Sequence, residues 1–180
     1  MMRMVEELQG SDYEALILFE FNIGDDLEEN FKKLIFFGNF PKKYNRLVIP
    51  YGHWVTVDHL LTLDCEEIHI SRTNFSSKDI NRFLHHWIQG GALRLKAFCV
   101  QTENIEDEDE IYEDIKVLMM PGFQKYIIKN EYLKFNGKYI RRVDGVLASV
   151  QYYPMEKCIR LGVWPDFQGN HIQAIHLLFC

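Results

Sequence analysis

Four side chains able to bind a metal or move a proton fall close together: His53, His59, Cys65 and His69. Imidazole and thiolate are the donors a zinc- or copper-type centre uses. Their spacings of six, six and four residues match no ligand pattern of a structural zinc site. Cys65 also falls on an apolar repeat position that points inward, so no metal site and no cofactor is expected. His85 and His86 are adjacent on a helix, where successive residues point about 100° apart. They cannot easily chelate together and are read as part of a solvated helix back.

A thiol nucleophile needs a neighbour that stabilises the thiolate. Cys65 lies in Asp64-Cys65-Glu66-Glu67, whose carboxylates would raise its pKa. Cys99 alternates with Phe98 and Val100, so on a strand it faces away from them. Neither has an evident base, and no catalytic residue is assigned. A small hydrolase or redox enzyme using Cys99 or Cys65 with a histidine is the alternative function. Between Glu103 and Asp114 there are eight acidic residues and no basic one. That run could dock a basic partner. The plainer reading is a solvated loop leading into a helix whose acidic start suits the helix dipole. It lacks the D-x-D-x-D-G order of a calcium loop. Gly90-Gly91 follows a helix, whereas a phosphate-cradling loop precedes one. Phe83 and Trp87 have core spacing rather than the exposure of a base-stacking platform.

The elements that would position these groups are legible in part. Ile80, Phe83, Leu84, Trp87 and Ile88 make one helical face, predicting a helix over Lys78–Gln89. Ser76 and Asp79 resemble a capping box, and Gly90-Gly91 supplies left-handed backbone at the far end. β-prone runs flank the helix at Glu66–Ser71 and Leu95–Gln101. The two runs repeat one another: Cys65, Ile68, Ile70, Asn74 and Phe75 recur thirty residues on as Leu95, Phe98, Val100, Asn104 and Ile105. After one added residue the helix face recurs as Ile111, Ile115, Leu118 and Met119. This is a relaxed leucine-rich-repeat strand and turn, in which Asn satisfies backbone groups where the chain leaves the sheet. A returning helix makes the next strand parallel.

Upstream, Tyr44, Leu47 and Ile49 match Cys65, Ile68 and Ile70, with Val57, Leu60 and Leu61 as a short helix between. Ala15–Phe21 is a further strand, and Leu27, Phe31, Leu34 and Ile35 a helix face closed by Gly38. The expected fold is α/β: an irregular leucine-rich-repeat-like array of strand–helix units with parallel strands, closed by a C-terminal antiparallel β-meander. An ordinary three-layer α/β domain is the rival. The meander is read from β-prone runs at Tyr132–Phe135, Lys138–Val143, Leu147–Tyr153 and Cys158–Trp164. Asn136-Gly137 and Asp144-Gly145 are the hairpin signals. Covering the open end of the stack is its expected role. The divisions are 1–13 as a lead, 14–165 as the domain (14–120 repeats, 121–165 meander), and 166–180 as a tail whose structure the sequence does not define.

The chain's 180 residues are enough for a core that removes about 70% of the extended chain's surface from water. A net charge of −6 gives no long-range attraction to a phosphate backbone, so nucleic acid is not an expected partner. No apolar run approaches membrane-spanning length, and Met1–Gly10 is too polar for a secretory signal. The cysteines Cys65, Cys99, Cys158 and Cys180 are far apart and form no C-x-x-C pair, which suits reduced thiols in an intracellular protein, cytoplasmic or nuclear.

Three blocks in order carry a resemblance. Trp54–Leu61 with Leu63–Glu66, then Asp79–Ile88 with Gly90-Gly91 and Leu93–Val100, then Tyr139–Val150 with Ile159–Trp164, resemble the type 2 F-box-associated domain of nematode F-box proteins. The resemblance covers roughly residues 15–165. It implies a substrate-recognition module of cullin-based ubiquitin ligases, in which an N-terminal F-box docks on a Skp-type adaptor. Met1–Tyr13 is too short for the three-helix F-box, which needs roughly 40 residues. The adaptor is therefore an expected partner only if an F-box is supplied elsewhere. The expected function is non-catalytic recognition of a target protein or peptide. In a parallel repeat sheet the residues between the inward pairs form an outward ladder, here Val48, His69 and Cys99, flanked by Arg46, Glu67, Ser71, Ala97 and Gln101. Strands about 4.8 Å apart make such a ladder wide enough for a peptide.

Overall fold

The computed structural model describes residues 5–7, 15–18, 45–120, 122–128 and 131–165. The expected helix at Leu27–Ile35 and the tail 166–180 lie outside these. Eleven strands are described: β1 Val5–Glu7, β2 Ala15–Leu18, β3 Arg46–Ile49, β4 Glu67–Thr73, β5 Ala97–Thr102, β6 Leu118–Met119, β7 Gln124–Ile128, β8 Glu131–Phe135, β9 Lys138–Arg141, β10 Leu147–Tyr153 and β11 Cys158–Trp164. Two helices, α1 Val57–Leu61 and α2 Ser77–Ile88, connect the parallel strands. The main sheet runs β1-β2-β3-β4-β5-β11-β10-β9-β6, and β7 pairs β8 in a separate two-stranded sheet.

The structure is thus a mixed α/β fold. β2, β3, β4 and β5 are parallel neighbours, with Leu16, Leu47, Ile68 and Phe98 in one register row. In β3, β4 and β5 the row follows from a recurring sequence pattern, two apolar residues two apart, which point to the same side of the pleat. From β5 onward pairing turns antiparallel, and β11 lies along its free edge with Cys99 opposite Arg160. The C-terminal strands thereby satisfy the backbone groups that the last parallel strand would leave open.

Helix α2 forms where its periodicity predicts. The Ser76 hydroxyl accepts from Asp79 N at 3.3 Å, and the Asp79 carboxylate accepts from Ser76 N at 2.9 Å, so the short acid completes the box. Ile80, Phe83, Leu84 and Trp87 are completely buried against the sheet. Each such residue contributes about 1.5–3 kcal/mol. Phe83 stacks on Phe98 of β5 with ring centroids 4.4 Å apart, which fixes the helix over the parallel strands. In α1 a second capping box uses His59, whose Nδ1 accepts from Thr56 N at 3.1 Å. The repeated asparagines take the expected turn role. Asn104 Nδ2 donates to Asn74 O at 3.0 Å, and Asn74 Nδ2 to His53 O at 3.0 Å, linking successive turns.

Three expectations are corrected. The repeat of the helix face at Ile111–Met119 does not form a helix. Asp109–Tyr112 is one 3-10 turn, and Leu118–Met119 is strand β6. Asp114 takes φ 56°, which stops helical propagation. Clustered carboxylates three and four residues apart oppose a helix there as well. Second, Asn136-Gly137 is not a hairpin turn: β8 pairs β7, whereas β9 pairs β10 and β6. Asp144-Gly145 does turn a hairpin, between β9 and β10, with Gly145 N donating to Arg142 O at 2.9 Å. Third, Ala97 was expected on an open face and is covered. Strand β7, which no β-prone run announced, brings Tyr126 over Ala97, Tyr139 and Trp164 to build a second, smaller core.

Candidate functional site

The register of β3, β4, β5 and β11 assembles the outward ladder. Arg46 lies opposite Glu67 and Glu67 opposite Ala97, while Val48 pairs with His69 and His69 with Cys99. Because side chains alternate, all of these point away from the helices. The face is not uniformly open. Tyr126 donates to Lys96 O at 2.8 Å and stands edge-on to Trp164 at 4.9 Å, so the β7–β8 hairpin walls off the side nearest Ala97. Ala97 and Glu67 are buried, Arg46, Val48, His69, Ser71 and Cys99 half-buried, and Gln101 exposed.

Charges concentrate at the centre of the row. Arg46 Nε lies 3.3 Å from Glu67 Oε2, and His69 Nε2 lies 3.8 Å from the same oxygen. Burial pushes the His69 pKa down and Arg46 adds to that. The Cys99 thiol and the Glu67 carboxylate outweigh both, holding His69 at about 8. Cys99 Sγ is 3.1 Å from Cys158 Sγ of β11. Donation from the Cys158 thiol lowers the Cys99 pKa against the cost of burial, with His69 and Arg160 acting in the same direction. Cys158 moves the opposite way, because it holds the shared proton. The sequence reading did not assign Cys158 or Arg160 to the face. They come from a strand more than fifty residues downstream, and no local spacing encodes that pairing.

A titration checks this electrostatic arrangement. The His69 ring proton should titrate near pH 8 by NMR. In a Glu67→Gln/Cys99→Ser double variant only burial and Arg46 remain, and both disfavour the charged ring. The midpoint should then fall below the ordinary 6.5. An unchanged midpoint would show that these two partners do not hold the proton.

The other chemistry-bearing residues are placed elsewhere. Cys65 is fully buried in the main core. His59 caps α1, and His53 lends its carbonyl to the asparagine series. No grouping of three or more His, Cys, Asp or Glu suited to a metal occurs among the described residues. His85 Nε2 meets Glu113 O at 3.2 Å, while His86 packs against Gly91 and has its pKa lowered by burial. The pair thus makes separate structural contacts. The acidic run is partly answered from within: Glu108 pairs with Lys138 at 2.8 Å, Glu110 with Lys78 at 3.9 Å, and Glu103 with Lys157. No helix among the described residues is long and apolar enough to cross a membrane.

His69 beside Cys99 is the juxtaposition a thiol enzyme would use. Acyl transfer, however, also needs amide N–H groups free to cradle an oxyanion. β5 is flanked by β4 and β11, so the amides around Cys99 belong to the sheet ladders.

This architecture is a mixed sheet with a half-buried row of polar and charged side chains on the face away from the helices. The sequence model of the family described as F-box associated matches residues 27–100. The match spans β3, α1, β4 and α2 and ends at Val100 within β5, and so includes the Trp54–Glu66, Asp79–Gly91 and Leu93–Val100 blocks. Among curated proteins, the chain is 27% identical over 122 residues to the Skn-1 dependent zygotic transcript 15 protein of Caenorhabditis elegans, covering 63% of this chain and 33% of that protein. It is 28% identical over 114 residues to the F-box associated domain-containing protein sdz-33 of the same organism, covering 62% of this chain and 36% of that protein. The chain therefore spans about a third of the length of these relatives. No solved structure matches it significantly.

Proposed function

We propose that this chain is a non-catalytic protein-recognition domain of the kind that holds targets for F-box ubiquitin-ligase adaptors, working in an intracellular setting. Its contact surface is the row Arg46, Val48, His69, Ser71, Cys99 and Gln101; Glu67, expected among them, is buried and holds Arg46 and His69 from beneath. The observation that carries the reading is the shared register of β3, β4 and β5, which lines these side chains up beside the wall made by β7 and β8. A row mixing apolar, polar and charged groups suits a specific protein contact. The F-box associated match favours protein partners over small substrates. We read the strand–helix units as leucine-rich-repeat-like, supported by the parallel register and by the turn asparagines bonded one to the next. Engagement of a Skp-type adaptor would require an F-box.

The test is affinity capture from the chain's own cells with quantitative mass spectrometry. The wild type is compared with an Arg46→Ser/His69→Ser/Gln101→Ser variant and with Arg82→Ser, which breaks an exposed pair from α2 to Asp58 of α1. Proteins retained by wild type and by Arg82→Ser should fall roughly tenfold with the triple variant, the scale of losing one or two interface anchors. Recovery of the same proteins in the same amounts from all three baits would reject the row as the contact surface.

A further inference from the structure

We propose that Cys99 and Cys158 form a redox-active thiol pair that closes to a disulfide on contact with a peroxide, clipping β11 to β5. The antiparallel register sets Cys99 opposite Arg160 and Gln101 opposite Cys158, so the two thiols project from the same face on one diagonal. Their sulfurs are 3.1 Å apart, and closure to a bond of about 2.05 Å asks for a movement near 1 Å. Both are free thiols in the structure, Cys99 partly accessible and Cys158 buried. The flanking groups favour a thiolate at the accessible member: His69 on β4 and Arg160 on β11 supply positive charge, and the Cys158 thiol donates to it. Cys65, by contrast, is fully enclosed in the apolar core, out of reach of a dissolved oxidant.

The chemistry balances with hydrogen peroxide as oxidant. The Cys99 thiolate attacks one peroxide oxygen and the O–O bond breaks. Cys99 becomes a sulfenic acid, and the departing hydroxide takes a proton to leave as water. Cys158 sulfur then attacks Cys99 sulfur. The S–O bond breaks, a second water carries away the Cys158 proton, and the disulfide remains. Two thiols have lost two electrons and one peroxide has become two waters. A dithiol reductant reverses the bond.

The reduced full chain is treated with hydrogen peroxide, digested without reduction and mapped by mass spectrometry. A Cys99–Cys158 linked peptide, lighter by two hydrogens than its separate halves and lost on adding dithiothreitol, is expected. The Cys158→Ser variant should stop at a Cys99 sulfenic acid that dimedone traps, and Cys99→Ser should give neither product. Before oxidation, Cys99 should react with iodoacetamide at pH 7 roughly tenfold faster than Cys65, as thiolate character dictates. His69→Gln should move the pH profile of that reaction upward while circular dichroism stays unchanged. Peroxide treatment that leaves both thiols free, or that links Cys99 to Cys65 or Cys180 instead, would overturn the proposal.

Discussion

Trp87→Ala should lower the unfolding free energy by about 3–5 kcal/mol, measured by urea denaturation. Trp87 has no exposed surface and is among the largest fully buried side chains of the described residues. It sits on the last turn of α2, where the helix meets the β9–β10 hairpin: Val143 N donates to Ile88 O at 2.9 Å. The Arg142 guanidinium lies 5.2 Å from the indole centroid and is itself buried, held in place by Asp144 at 2.8 Å. Truncation would therefore open a cavity and also remove the aromatic face over which a buried cation rests, an interaction of about 0.5–2 kcal/mol. One effect opposes the loss. The indole Nε1 is buried with no hydrogen-bond partner among the described residues, so deleting it removes an unmet donor. Trp87→Phe isolates that effect, since it keeps most of the volume and loses the N–H. It should cost clearly less than Trp87→Ala. Equal losses for both would mean that the indole N–H is a satisfied donor whose loss outweighs the cavity, contrary to its unpartnered setting.

The part of the fold readable from sequence is the part whose information is local. Helix α2 announces itself because five apolar residues recur at helical spacing between a capping box and a glycine pair. The Leu47–Ile68–Phe98 row was legible because the same short apolar pattern recurs in the sequence, and the strands that carry it pair in register. Where reading failed, either local charge and backbone overrode the apolar spacing or pairing was decided at a distance. Ile111 has the spacing of a helix face and is indeed fully buried. The carboxylates around it, together with left-handed Asp114, convert the helix into a single turn. The candidate face was half legible for the same reason. His69 and Cys99 hold the same place in two copies of one sequence pattern, so their alignment could be read. Cys158 and Arg160 arrive through an antiparallel pairing that no repeat specifies. Ala97 could be placed on the correct face, but the hairpin that covers it could not be foreseen, because Gln124–Ile128 carries no strong alternation.

Gly137→Ala should destabilise the chain by about 2–4 kcal/mol, well beyond the usual cost of filling a turn glycine. The Asn136-Gly137 pair looks like a hairpin turn, yet its glycine serves a different need. Its backbone takes φ 81°, and a Cβ there would stand 2.0 Å from Met120 O. The obstructing atom is backbone, so no rotamer change relieves it. Nor can the backbone withdraw freely, because Met120 N donates to Gly137 O at 2.9 Å and Leu118 and Met119 pair with Tyr139 and Lys138. Relief requires peeling β6 from β9 and lifting Leu118 and Met120 from the core around Tyr139 and Trp164. Gly145→Ala is the matched control. It has a comparable φ of 91°, but a Cβ there meets nothing within 4 Å. It should lose only the left-handed backbone penalty, about 1–2 kcal/mol. The difference between the two urea midpoints therefore measures the close approach of β6 to β9. If both variants lost the same amount, the contact at Met120 would have no energetic role, and Gly137 would be required for its dihedral angle alone.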